Sequence, residues 1–170
     1  MAFPHRDSVQ RAVDLLRVLL PDPDPAAVRR VLLAHGETDL SEVDVPELHA
    51  AALELLPVFA APDVAAAAAV LNGLFATYAR PPRLTDHDEG YGWHLHVDAS
   101  DDGPWRAWLV TSSALGLASL LAERQDVPGG LCASPSCGKP FAHTGGGSPR
   151  RFCSPRCATR ERVAAHRARR

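Results

Sequence analysis

The spacing of apolar residues predicts four helices in the N-terminal half of the chain. Apolar side chains over 9–20 share one helical face, and a proline-rich stretch then ends this first helix. Helices over about 25–35 and 45–60 follow, each with an aspartate before it and a proline in its first turn. An alanine-rich helix over about 63–79 completes the set, and a proline pair ends it.

A change of period marks the next region. Apolar and polar residues alternate over 91–97, which is typical of a half-buried strand, and 105–110 can return as its partner after a turn-forming stretch. A fifth helix is predicted from Thr111 or Ser112 to about Arg124. The predicted fold class is α+β and mainly α. It comprises a helical N-terminal domain with one β-hairpin (1–126), a linker (127–130) and a small C-terminal module (131–170).

Charge separates the same two regions. Residues 1–130 hold nine arginines and nineteen acidic residues, a net charge of −10, whereas residues 131–170 hold nine basic residues and one acid, a net charge of +8. This segregation suggests a division of labour between an acidic body and a basic tail. No apolar run reaches the roughly 18–20 residues of a membrane helix, and the first residues do not resemble a secretion signal. We therefore expect a cytoplasmic protein without a membrane partner.

The chain has four cysteines, all in the basic tail: Cys132, Cys137, Cys153 and Cys157. Two closely spaced pairs of thiolates suit a closed tetrahedral zinc site, which would fold a segment that has few apolar side chains of its own. We predict one structural Zn²⁺ ion with no open position for catalysis. The alternatives are two disulfides, four free thiols, or a site in which His143 or His166 replaces one cysteine. Disulfides are disfavoured in a protein without an export signal.

The second cysteine pair indicates how the site is built. Ser154 followed by Pro155 is typical of a helix N-cap and first helical residue, which places Cys157 in the first turn, where the helix dipole favours a thiolate. A knuckle, a hairpin carrying Phe141 and Phe152, and a helix that supplies the last ligand predict a treble-clef-like zinc finger. A purely β zinc ribbon is the alternative, but the basic segment at the end of the chain favours a terminal helix.

Two segments of the tail, 131–138 with Phe141 after it and 150–154, resemble the CGNR zinc finger family. That family is named for a Cys-Gly-Asn-Arg motif at the last ligand; here the motif reads Cys157-Ala158-Thr159-Arg160, and Phe152 and His143 also depart from the family pattern. The resemblance implies a four-cysteine finger with a basic helix, and an N-terminal helical domain of the ABATE type. It also implies a DNA-binding, stress-induced transcriptional regulator.

Arginines dominate the predicted terminal helix. At about 100° per residue, Arg156, Arg160 and Arg167 fall within roughly 40° of one another, and two further arginines share a second face. Such a surface can follow DNA phosphates. The predicted nucleic-acid interface consists of Arg150, Arg151, Arg156, Arg160, Arg162, Arg167, Arg169 and Arg170. The alternative is a protein-interaction module that docks this basic surface on an acidic partner or on the acidic N-terminal domain.

An enzyme is not expected, because no coherent catalytic constellation stands out. The cluster of His87, His94 and His96 with Asp86, Asp88 and Glu89 is expected to be a set of solvated strand residues rather than a weak metal site. Trp93, Trp105 and Trp108 are expected to pack in the core or at a sheet edge, or else to line a pocket for a small-molecule effector of the N-terminal domain. No heptad pattern predicts a dimer, so the oligomeric state stays open.

Overall fold

The structure, a computed structural model, describes residues 4–37, 40, 43–86, 92–145 and 150–169. This part of the chain forms six helices and two antiparallel two-stranded sheets, which confirms the mainly α, α+β class. The helices are α1 (Pro4–Leu19), α2 (Pro25–Ala34), α3 (Val45–Ala60), α4 (Val64–Tyr78), α5 (Trp105–Arg124) and α6 (Pro155–Arg167). The strands are β1 (Arg83–Thr85), β2 (His94–His96), β3 (Gly129–Leu131) and β4 (Pro140–Ala142).

Helix α5 is the centre of the N-terminal body, where it packs against α1, α3 and α4. Its buried side chains recur three and four residues apart and include Leu109, Leu117 and Leu120. They join a single apolar core with the buried faces of the other helices, including Leu16 of α1 and Leu55 of α3. Within the described ranges, no helix combines the length and the apolar composition that crossing a membrane requires.

Local sequence signals explain where three helices begin. Asp24, Asp44 and Asp63 each accept hydrogen bonds from backbone N–H groups in the first turn of α2, α3 and α4. These bonds satisfy donors that a helix start otherwise leaves unpaired. As a result, the predicted bounds of these helices agree with the structure to within one residue, whereas α1 begins at Pro4 rather than near residue 9.

The predicted hairpin between 91–97 and 105–110 is wrong in its second strand. β2 pairs instead with β1, with Leu84 opposite Leu95, and 105–110 forms the first turns of α5. Tryptophan and valine favour strands locally, but a continuous helical face from Leu109 to Leu120 buries far more apolar surface against the core. The fifth helix therefore begins at Trp105 and not at Thr111.

The β3–β4 hairpin attaches the C-terminal module to the helical body. Both strands contact α3, β4 also contacts α1, and Arg17 Nε donates to the Pro140 carbonyl at 3.0 Å. Gly129 is closely packed, since a Cβ there would lie 2.9 Å from a ring carbon of Phe59. Gly129 and Gly130 fall in the segment predicted as a linker, and the structure places them in β3. The division of the chain into domains at 126 and 131 stays a prediction.

Candidate metal centre and basic helix

The first cysteine pair lies in a knuckle between β3 and β4. Cys132 N donates to the Lys139 carbonyl at 3.0 Å, and Cys137 N donates to the Ser134 carbonyl at 2.9 Å. Gly138 follows with a φ of 60°, a left-handed conformation that glycine adopts without steric cost. The turn thereby brings the sulfurs of Cys132 and Cys137 into one cluster.

The second pair lies at the start of α6. Ser154 is the N-cap, its side chain accepts from Cys157 N at 3.3 Å, and Pro155 is the first helical residue, as predicted. The prediction was wrong about the hairpin: β3 and β4 flank the first pair instead of separating the two pairs, and Phe152 lies outside both strands. The reason is that the knuckle is itself the turn of the hairpin. Supply of the last ligand by a helix agrees with a treble-clef-like finger rather than a purely β ribbon.

The spacing of the four sulfurs fits one zinc ion. All four lie within 4.8 Å of one another, with Cys137 Sγ 3.6 Å from Cys153 Sγ and Cys153 Sγ 3.8 Å from Cys157 Sγ. Zn–S bonds of about 2.3 Å in a regular tetrahedron place the sulfurs about 3.8 Å apart, whereas a disulfide needs about 2.05 Å. The four cysteines therefore form a structural site for one zinc ion, and the disulfide alternative fails on distance.

The pKa values of two of the thiols shift in opposite directions. Burial works against the Cys132 thiolate, but backbone hydrogen bonds from Cys153 and Ser134 outweigh it and lower the pKa of Cys132 to about 7. Burial, followed by contact with the other three thiols, raises the pKa of Cys153 to about 12. A divalent cation among the sulfurs is what allows all four to ionise together, because metal binding displaces thiol protons.

Histidine is not part of this cluster. The buried His143 ring points its Nδ1 at the Val127 carbonyl (3.2 Å) and its Nε2 at the Arg150 carbonyl (3.4 Å). His166 lies near the other end of α6 and is exposed. The alternative of three cysteines and one histidine is therefore not the arrangement found among the described residues, where the cluster consists of cysteines alone.

The sequence comparison agrees with this geometry. Residues 130–170 match the model of the CGNR zinc finger family. The matched range includes the knuckle, β4, the four cysteines and all of α6, and we refer to it below as the CGNR finger. No curated protein matches the chain. Because the family match stops at residue 130, the resemblance of the helical body to the ABATE type stays a prediction.

Arg160, the last residue of the motif that names the CGNR finger, faces the knuckle. Its Nη2 donates to Ser134 Oγ at 2.5 Å and approaches Cys157 Sγ at 3.6 Å, and its Nε lies 3.5 Å from Glu161 Oε1. Ser134 is 1% exposed and donates to the same Glu161 oxygen at 2.6 Å. These contacts give Arg160 a structural role, because its guanidinium holds α6 to the knuckle beside a thiolate. A phosphate contact by Arg160 stays a prediction.

Sequence reasoning did not identify Ser134 and Glu161 as partners in the centre. The available signal was that Glu161 is the sole acid among the last forty residues, which otherwise carry only basic charges. With Glu161 bonded to Ser134, the one negative charge of α6 is used inside the finger. The other charged side chains of α6 are all arginines.

Besides Arg160, four predicted arginines of the terminal segment are exposed: Arg156, Arg162 and Arg167 on α6, and Arg169 just beyond the helix end. Arg162 donates to Thr159 Oγ1 within the same helix, and no described acidic side chain forms an ion pair with any of the four. Arg150 donates to the Ala142 carbonyl and lies over the Phe141 ring, and Arg151 lies over Phe152. Arg170 lies outside the described residues.

The predicted roles of the tryptophans and of the histidine cluster are confirmed for some residues and not for others. Trp93 is 72% exposed and so does not line an enclosed pocket, while Trp105 and Trp108 pack edge to face on α5. A small-molecule effector stays a prediction. His94 and His96 converge in β2, and burial lowers the pKa of His96 despite the neighbouring Asp98, so the expectation of simple solvated residues is wrong for His96. His87, Asp88 and Glu89 lie outside the described residues.

Proposed function

We propose that this protein binds DNA through the outward surface of α6 and acts as a transcriptional regulator. One observation carries the proposal: Arg156, Arg162, Arg167 and Arg169 are exposed, while the sole acid of the helix is bonded inside the finger. These four residues are called the arginine set below. Guanidinium groups on two faces of one helix, without competing carboxylates, suit a polyanion, whose phosphates supply most of the affinity in protein–DNA binding.

The dimensions of α6 suit a DNA groove. At 1.5 Å per residue, the 13 residues of Pro155–Arg167 extend about 20 Å, and the major groove is about 12 Å wide and admits one helix. The zinc site fixes the first turn through Cys157, and Arg160 fixes the second through Ser134. The arginine set therefore projects from a helix with a fixed orientation, which limits the conformational entropy that is lost on binding.

An acidic protein partner is the competing candidate, since the same positive charge would attract it. No member of the arginine set forms an ion pair with a described acidic residue of α1–α5, which supports an external ligand over docking on the chain's own acidic body. A DNA duplex presents phosphates to the guanidinium groups at a fixed spacing along a rigid helix. An acidic polypeptide presents carboxylates on a flexible chain. Competition between the two ligands therefore distinguishes the candidates.

The test is fluorescence anisotropy with a labelled DNA duplex and the zinc-loaded full chain. Substitution of the arginine set by glutamine should reduce the affinity by about 100-fold at low salt, because each lost phosphate contact removes a counterion-release contribution. The matched control is Arg29→Gln with Arg30→Gln, two exposed arginines of α2, which should bind as the unaltered chain does.

Two outcomes would contradict the proposal. One is an α2 control that loses as much DNA affinity as the arginine-set variant, which would mean that net charge alone, and not the surface of α6, determines binding. The other is displacement of the duplex by polyglutamate at matched charge concentration, which would favour the acidic-partner candidate. For the regulatory role, which rests on the family resemblance, the arginine-set variant should alter the same transcripts in the native host as deletion of the protein.

A further inference from the structure

A second group of potential metal ligands lies outside the CGNR finger, on the β1–β2 sheet. It contains His94 and His96 of β2 with Asp98 and Asp101 from the turn that follows, and Arg83 of β1 lies among them. Ligand atoms of His96, Asp98 and Asp101 all lie within 4.8 Å of one another. Neither the zinc centre nor the proposed DNA surface uses these residues.

Each histidine directs its Nδ1 toward an acceptor. His94 Nδ1 lies 2.8 Å from the Gly92 carbonyl oxygen, and His96 Nδ1 lies 3.1 Å from a carboxylate oxygen of Asp98. Carbonyl and carboxylate oxygens accept hydrogen bonds and do not donate them, so each Nδ1 carries the hydrogen. In a neutral ring this leaves Nε2 with its electron pair.

Arg83 does not reverse this assignment. Its Nη2 lies 3.2 Å from His96 Nδ1, but the same nitrogen makes shorter contacts to Asp98 (2.7 Å) and Asp101 (2.5 Å), which take its two hydrogens. Among the described residues that contact the His96 ring, two carboxylates and one guanidinium carry a net charge of −1. That charge favours a further cation nearby.

The two Nε2 atoms converge to 3.0 Å. Electron pairs that face each other at this distance repel unless a cation lies between them. Metal–nitrogen bonds of about 2.0–2.1 Å, at angles between about 90° and 109°, place two ligand nitrogens about 2.9–3.4 Å apart. An Nδ1 hydrogen bond to a carboxylate or a backbone carbonyl is also the usual support of a metal-binding histidine.

The geometry points to a binding site for a divalent transition-metal ion, held by the Nε2 atoms of His94 and His96 and oriented by Gly92 and Asp98. Imidazole ligands suit Zn²⁺, Cu²⁺ and Ni²⁺ rather than Mg²⁺ or Ca²⁺. The described residues supply two nitrogens, and further donors complete the coordination.

The test is calorimetric titration of the full chain, already carrying one equivalent of zinc, with Ni²⁺ alone. One further equivalent should bind to the unaltered chain, and His94→Ala or His96→Ala should abolish this binding without loss of zinc. Asp98→Asn should weaken it by about 10- to 100-fold, the usual effect of removing the carboxylate behind a ligand histidine. His166→Ala, an exposed histidine of α6, is the matched control and should bind Ni²⁺ unchanged.

Two results would overturn the inference. The first is an unaltered chain that takes up no Ni²⁺ beyond its zinc, which would mean that a proton joins the two rings. The second is a His94→Gln chain that binds Ni²⁺ as tightly as the unaltered one. His94 is partly exposed, so this variant stays informative even where changes at the more enclosed His96 disturb folding, and circular dichroism checks the fold of each variant.

Discussion

Replacement of Arg160 by alanine should loosen the zinc site, whereas replacement of the neighbouring Arg156 should not. Arg160 donates to Ser134 Oγ and approaches Cys157 Sγ, so it connects the two halves of the CGNR finger. Arg156 is exposed one turn earlier on the same helix. The two substitutions remove the same charge from the same helix, which makes each a control for the other.

The contacts of Arg160 set the expected loss of zinc affinity in Arg160→Ala. Hydrogen bonds to charged groups contribute about 1.5–3 kcal/mol, and a partly exposed ion pair such as Arg160–Glu161 adds about 0–1 kcal/mol. The Arg160 side chain is 46% exposed, so solvent screening favours the low end, about 1.5–2 kcal/mol in total. At about 1.4 kcal/mol per tenfold, this corresponds to a zinc dissociation constant about 10- to 30-fold higher.

The assay is competition for zinc between the full chain and a chromophoric chelator. Arg156→Ala should change zinc affinity by no more than about twofold, the usual range for a surface substitution, and Arg160→Lys should fall between the two because it keeps the charge but not the planar fork. Equal zinc affinity of Arg160→Ala and Arg156→Ala would refute a structural role for Arg160.

Three substitutions test local packing, and zinc removal tests the metal. Ser154→Ala removes the bond to Cys157 N and should cost about 1 kcal/mol, measured as weaker zinc retention and reduced helicity. Gly129→Ala places a methyl group against Phe59 and the Phe141 carbonyl and should destabilise the chain by about 1–3 kcal/mol in urea. Gly73→Ala in α4, where an added Cβ would contact nothing within 4 Å beyond its chain neighbours and the backbone of its own helix, should instead stabilise it by about 0.5–1 kcal/mol. Zinc removal by a chelator should raise amide exchange around the cysteines and in α6 while α3 and α5 stay protected; equal exchange with and without zinc would contradict a structural metal.

Features set by neighbouring residues were predictable from the sequence. The start of α6 at Pro155 and the place of Cys157 in its first turn follow from a serine–proline pair, and α2 and α3 follow from an aspartate with a proline close behind. The metal ligands were predictable for a related reason, since two short cysteine spacings already determine which side chains reach one ion.

Features set by distant residues were not predictable. A helical wheel placed Arg160 beside Arg156 and Arg167, but its direction depends on Ser134, 26 residues earlier and buried against it. The segment 105–110, expected to be a strand, is a helix because it makes core contacts with α1, α3 and α4, which are distant in the sequence. The convergence of His94 and His96 likewise depends on Arg83 and Asp101, which the β1–β2 pairing and the following turn bring beside β2.

The salt dependence of DNA binding tests the central claim most directly. The slope of the logarithm of affinity against the logarithm of salt concentration falls by about 0.9 for each phosphate contact, so four contacts contribute about 3.6. Between about 50 and about 200 mM salt, that difference amounts to about 150-fold in affinity. We predict that glutamine at Arg156, Arg162, Arg167 and Arg169 makes the slope shallower by about 3–4, while the Arg29 and Arg30 control leaves it unchanged. Identical slopes for the unaltered chain and the arginine-set variant would contradict a DNA-binding surface on α6.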